Sequence, residues 1–136
     1  MVTVGFLADT SVWIDFFHGK ESVKATYLEQ AISNDSTVHL CPVILQEILQ
    51  GIREDAHYKR VKRIMLSYPM LLLPPVEASI GAADLYRNLR KKGITIRRSN
   101  GCLIAFYALS HKVPILENDH DFHLIASASD LELVNP

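Results

Sequence analysis

Short unbroken apolar runs alternate along the chain with longer stretches in which apolar residues recur every three or four positions. Residues 2–8 form the first run and read as a buried strand that ends at Asp9, Thr10 and Ser11. Helical periodicity follows over 11–17, closed by Gly19, and again over 22–33. Residues 37–41 are strand-like, and Pro42 suits the opening position of a helix over 43–53. Asp55 can cap a helix reaching Tyr68; residues 70–73 are a short apolar strand stopped by Pro74 and Pro75, and 77–92 are helical with Gly93 as the C-terminal cap. Residues 103–109 are apolar nearly all round, as in a helix wedged between other elements, with Ala105 and Ala108 leaving room for close packing. A strand over 113–116, a loop and short helix from Asp119, and an alternating edge strand over 131–134 complete the pattern. This alternation predicts an α/β fold, a three-layer α/β/α domain with a mostly parallel central sheet. Without an internal repeat or a Pro/Ser-rich linker, residues 1–136 read as one domain.

Composition narrows the class. With 136 residues, 49% of them hydrophobic, the chain can bury one sizeable core. No apolar run approaches the roughly 18 residues that span a bilayer, and the first residues lack the basic start and cleavage site of a signal peptide. A cytoplasmic protein without a membrane segment is expected. Cys41 and Cys102 lie among apolar residues with no CxxC spacing and read as reduced core thiols. A formal net charge of −1 argues against holding nucleic acid by bulk charge. That total hides a split, because residues 53–98 carry 11 basic and 4 acidic side chains while the rest of the chain is acidic.

In parallel α/β sheets the functional site lies outside the carboxyl ends of the strands. Asp9 directly follows the first strand, and Asp119 and Asp121 follow the strand over 113–116. Glu47 sits about one turn into the helix after the second strand, off the stripe of Ile44, Leu45, Ile48, Leu49 and Ile52 and on the same face as Gly51. A glycine there costs about 1 kcal/mol against alanine, which suggests that something approaches closely. Four carboxylates at one edge repel one another unless a cation sits among them, and oxygen-only ligands suit Mg²⁺ or Mn²⁺. The matching chemistry is metal-assisted phosphodiester hydrolysis. Each acid also has a plainer reading: Asp9, Asp119 or Asp121 as a helix N-cap, and Glu47 as a solvated surface residue.

The segments Leu7-Ala-Asp9-Thr-Ser-Val-Trp-Ile-Asp-Phe-Phe17, Gln46-Glu47-Ile-Leu-Gln-Gly51, Cys102-Leu-Ile-Ala105 and Asn118-Asp119-His-Asp121-Phe122 resemble the successive motifs of PIN-domain ribonucleases. They look most like the VapC toxins of bacterial toxin–antitoxin pairs. The resemblance runs in order across almost all of the chain. It implies a Mg²⁺-dependent endoribonuclease, with Mn²⁺ as the alternative ion, often dimeric and neutralised by a VapB-like antitoxin in a heterotetramer or larger assembly. It makes Asp9, Glu47, Asp119 and Asp121 the acidic catalytic site, the first three of them metal ligands. Thr10, Ser11 and Asn118 become polar support. One position departs from the pattern: where the family places a ligand Asp at the start of the helix, this chain has Gly101. A missing ligand predicts weakened metal binding and impaired cleavage. Neighbouring Asn100 could offer a neutral oxygen instead. Glu117 reads as a solvated strand-end residue, and His120 and His123 as surface histidines too loosely spaced for a zinc site.

The basic block then gains a role. Lys59, Arg60, Lys62 and Arg63 share one predicted helix, Arg87, Arg90, Lys91 and Lys92 another, and Arg97 and Arg98 adjoin the site as candidate RNA phosphate contacts. Trp13, Ile14, Phe16 and Phe17 read most simply as core, with a groove for an amphipathic antitoxin segment as the alternative. Two other classes compete. A phosphoaspartate phosphatase with Asp9 as nucleophile wants an acid two residues on, where Ser11 stands. A non-catalytic module binding antitoxin or RNA is favoured by Gly101. Setting the four site acids aside leaves 11 acidic groups against 14 basic ones, so near-neutrality is what a basic surface around an acidic pocket produces.

Overall fold

The computed structural model describes residues 3–136; Met1 and Val2, where the first predicted strand begins, lie outside the described residues. Strand β1 (Phe6–Ala8) is shorter than the apolar run that predicts it. Gly5 interrupts it at φ +98°, and a Cβ there would collide with the Thr37 carbonyl of the neighbouring chain segment. Helices α1 (Thr10–Phe17) and α2 (Val23–Ser33) lead to β2 (Val38–His39). Helices α3 (Pro42–Gln50), α4 (Asp55–Met65), α5 (Pro75–Lys91) and α6 (Gly101–His111) precede β3 (Ile115–Leu116), and α7 (His120–Ser127) follows it.

The sheet order is β2-β1-β3, all parallel, with Leu7 opposite both His39 and Ile115. The predicted strands at 70–73 and 131–134 survive only as single parallel bridges, Leu40 to Met70 and Ile115 to Leu133, at the two edges. Pro69 supplies a carbonyl to Leu40 but has no N–H to return, and Pro74 stops the segment soon after, so the ladder cannot lengthen there. From β1 the chain first adds a strand on one side and then on the other. Right-handed crossovers therefore place α1 to α4, which lead from β1 to β2 and on to the Met70 bridge beyond it, on one face, and α5 and α6, which lead back past β1 to β3, on the opposite one, which is the three-layer arrangement. The core between the layers contains Leu7, Trp13, Leu40, Ile44, Ile104, Ile115, Phe122 and Ile125, all fully buried. Among the described residues no helix is long and apolar enough to cross a membrane.

Helix α6 is buried on most of its circumference, Ala105 and Ala108 included. Its closest partner is α5, where the tip of the Phe106 ring abuts Gly81 and leaves no room for a Cβ. Gly51 behaves differently from expectation. It is the C-cap of α3 at φ −80°, and a Cβ there would meet only the carbonyls of Glu47 and Ile48, at 3.6 Å. No close approach requires this glycine; it ends the helix.

Candidate active site

Strand order reverses at β1, so its carboxyl end opens into the crevice where α/β sheets place their sites. Asp9 stands there. Its N–H extends the ladder to the Leu116 carbonyl (2.9 Å), which fixes the backbone and leaves the side chain fully buried. The carboxylate caps α1: Oδ2 accepts the Ser11 N–H (3.1 Å) and the Ser11 hydroxyl (2.7 Å). Asp119 is likewise the N-cap of α7, its Oδ1 accepting the Asp121 N–H (3.0 Å). Asp9 and Asp119 are therefore both helix caps, and the capping leaves each of them an oxygen directed toward the crevice.

The centre of the crevice is a cation from the chain itself. Arg98 Nη1 donates to both oxygens of Asp9 at 2.8 Å, Nη2 donates to Glu47 Oε1 at 2.6 Å, and Nη1 lies 3.6 Å from Asp119 Oδ2. Asp9, Glu47 and Asp119 thus share one focus, and Arg98, placed at the rim by sequence reasoning, fills it. Burial works against the guanidinium's charge, but the charges and hydrogen bonds of Asp9 and Glu47 outweigh that, and its pKa is raised further. Glu47 is not a free surface residue. Thr10 Oγ1 donates to its Oε1 (2.6 Å) and Asn100 Nδ2 to its Oε2 (3.3 Å), so Asn100 reaches the site but presents its nitrogen rather than an oxygen.

Asp121 takes a separate position. Its Oδ2 accepts the backbone N–H groups of Arg97 (3.1 Å) and Arg98 (2.8 Å), clamping the irregular segment that carries the arginine. Ser11 Oγ accepts the Asn118 N–H (3.0 Å), and the Asn118 amide donates to Asp15 (2.9 Å) rather than into the crevice. Arg97 is exposed and, with Ser79, Tyr86 and Asn100, lines an open cavity of about 470 Å³ beside the site. Gly101 begins α6 and is buried; a Cβ there would stand 3.3 Å from Ile96 Cγ2 and 3.7 Å from Arg98 Cβ, so a side chain fits with slight give from one methyl.

Glu117 departs from expectation. It is 2% exposed, not solvated, and accepts from Lys24 Nζ (3.5 Å), His123 Nε2 (2.8 Å) and the Asp119 N–H (2.8 Å). A buried carboxylate needs such partners, and this one holds the turn that presents Asp119. His123 and His120 stack at the surface with ring centroids 5.9 Å apart. Cys41 and Cys102 are free and buried.

The fit of a divalent ion can be judged from the donors. Three carboxylates directed at one cationic centre are hard-oxygen donors of the type that Mg²⁺ or Mn²⁺ takes, and here that centre is a guanidinium. With Arg98 between them, no three His, Cys, Asp or Glu side chains among the described residues are gathered tightly enough to hold a metal. By type the donors suit such an ion, and as they stand the space between them is filled by Arg98.

The PIN-domain family profile matches residues 6–128. Over 127 residues, 93% of this chain and 95% of each relative, the chain is 32% identical to VapC ribonuclease Mb1587 of Mycobacterium bovis and to ribonuclease VapC11 of Mycobacterium tuberculosis. Similar solved structures include VapBC2 from Rickettsia felis bound to a DNA fragment from the promoter, with a TM-score of 0.71 and 18% identity over 96% of this chain and 97% of that one. Another is VapBC-1 from nontypeable Haemophilus influenzae, with a TM-score of 0.70 and 18% identity over 96% of both chains.

Proposed function

The chain belongs to the PIN-domain family, among its VapC ribonucleases, and from that premise we propose that it is the endoribonuclease toxin of a VapBC-type pair, dependent on Mg²⁺ or Mn²⁺ and impaired by Gly101. The observation that carries this reading is the convergence of Asp9, Glu47 and Asp119 on one cationic centre at the carboxyl end of β1. These three residues would hold the ion. When bound, it would supply Lewis-acid polarisation of a phosphodiester and a more acidic water. Thr10 and Ser11 orient Glu47 and Asp9 through the hydrogen bonds already made. Asp121 acts at one remove, by fixing the backbone of the arginine segment. Arg97 at the open cavity is placed to hold RNA phosphate, and in-line attack by water would leave 3′-hydroxyl and 5′-phosphate ends.

The partner reading has its own support. Ile14, Phe17, Ile48, Ile52 and Val61 line a small apolar cleft of about 120 Å³ that runs to Glu47, which suits an apolar anchor side chain from an amphipathic segment of a VapB-like antitoxin. The structurally similar VapBC proteins are pairs of this kind. A homodimer of toxins joined by antitoxin, in the cytoplasm, follows from the same reading.

The test is RNA cleavage with a metal titration. Gly101→Asp restores one of a small set of anionic ligands and should raise Mg²⁺-dependent cleavage by about 10² or more, whereas Asp9→Ala should abolish it in either background. If Gly101→Asp cuts no faster than the parent and Asp9→Ala changes nothing in either, the nuclease reading of the site is wrong. The second reading, a module that binds antitoxin or RNA without cutting, is favoured by Gly101 and by Arg98 at the focus. It predicts RNA retention by the parent chain with no product at any metal concentration.

A further inference from the structure

We infer that Arg98 is the resident cation of the acidic crevice, a plug within the same chain that a divalent ion must displace before it can bind. The inference rests on the carboxylates being a metal site, but not on RNA being cut. Asp9 is fully buried and carries a charge that needs a counter-charge nearby. Among the described residues, Arg98 is the one cationic side chain within salt-bridge distance of Asp9, Glu47 or Asp119. It takes both oxygens of Asp9 and the inner oxygen of Glu47, so guanidinium and metal compete for the same lone pairs. Occupancy is an exchange, never an addition.

The surrounding structure makes that exchange a side-chain event. The backbone at Arg98 is held on both sides: its N–H by Asp121 Oδ2 (2.8 Å), its carbonyl by the Gly101 N–H (3.1 Å). The segment therefore stays while the side chain swings. Arg98 retains 19% exposure, so the guanidinium has a way out to solvent, and its Cζ rests 5.7 Å from the Phe122 ring centroid when in place. Gly101 contributes from the other side. A Cβ at 101 would stand 3.7 Å from Arg98 Cβ, so the stem of the arginine passes beside the position where the family has a carboxylate. With one anion fewer and one guanidinium in place, the crevice is already partly neutralised. Apparent metal affinity then falls by the fraction of time the plug is in.

The experiment is Mn²⁺ binding to the intact chain, followed by calorimetry and by the metal-induced rise in melting temperature, with no RNA present. Arg98→Met keeps the stem and removes the charge; it should bind Mn²⁺ at least about tenfold more tightly than the parent, and be less stable than the parent without metal but rescued by it. Arg98→Lys cannot span Asp9 and Glu47 with a planar fork and should fall between the two. If Arg98→Met does not fold, Arg98→Lys decides alone. Equal Mn²⁺ affinity in the parent and the folded variants overturns the plug while leaving the metal site standing. No Mn²⁺ binding in any of them, Gly101→Asp included, overturns the plug and the metal reading together.

Discussion

Single residues in this chain often hold two positions at once. Asp9 terminates a strand, caps a helix and neutralises an arginine through the same carboxylate. Cys41 shows how the same crevice acts on a group that takes no part in it. Burial pushes its thiol from 9.0 up to about 12; the N–H groups of Ile44 and Val43 oppose the rise, and the charges of Asp9 and Glu47 add to it. The unfolded thiol ionises near 9.0 while the folded one stays neutral to about 12, so the stabilising effect is complete below pH 9 and is lost as pH rises from there. Over that window the slope should be about 1.4 kcal/mol per pH unit. Urea unfolding at about pH 8 and about pH 11 should show the loss, and Cys41→Ala should flatten it, leaving the part due to Cys102, whose thiol burial raises to about 11.

Elements followed the hydrophobic rhythm where it was long, as in α5 and α6, and shrank where prolines or a left-handed glycine cut the ladder, as at Gly5 and Pro69. Helix periodicity survives local insult because each turn supplies its own hydrogen bonds; a strand depends on a neighbour that sequence alone does not specify. The α5–α6 contact illustrates a constraint of the second kind. Nothing in the local pattern marks Gly81 as more than a weak spot in a helix, yet it is where the Phe106 ring lies against the α5 backbone. Gly81→Ala would ordinarily strengthen an exposed helix, by about 1 kcal/mol. Here it should cost about 1–3 kcal/mol through the clash, and Phe106→Leu in the same chain should recover part of it, as read by thermal unfolding.

For the whole molecule, the division of charge matters more than its sum. The basic segment from 53 to 98 spans α4, α5 and the arginine segment, with Lys59, Arg60, Lys62, Arg63, Arg87 and Arg97 all exposed, while the strand ends carry the acids. RNA held by several of these cations releases counterions, so affinity should fall at least about tenfold between roughly 50 and 200 mM salt. Arg97→Ala should weaken binding across RNA sequences and make the salt dependence shallower, measured by fluorescence anisotropy; an unchanged slope removes Arg97 from the phosphate-binding surface.

From sequence alone came the parallel α/β architecture, the strand-end placement of Asp9 and Asp119, the position of Glu47 near them and the odd glycine at 101. These are local properties: strand, turn and helix follow within a few residues, and a parallel sheet sends every such turn to the same edge. Tertiary structure alone decided which way Arg98 points, that Asp121 holds a backbone rather than facing the crevice, and that Glu117 is buried under Lys24 and His123. Each of those depends on a loop meeting a distant helix or strand end. A long side chain in such a loop goes wherever an unpaired buried charge draws it, and that charge exists only once the fold has closed around Asp9.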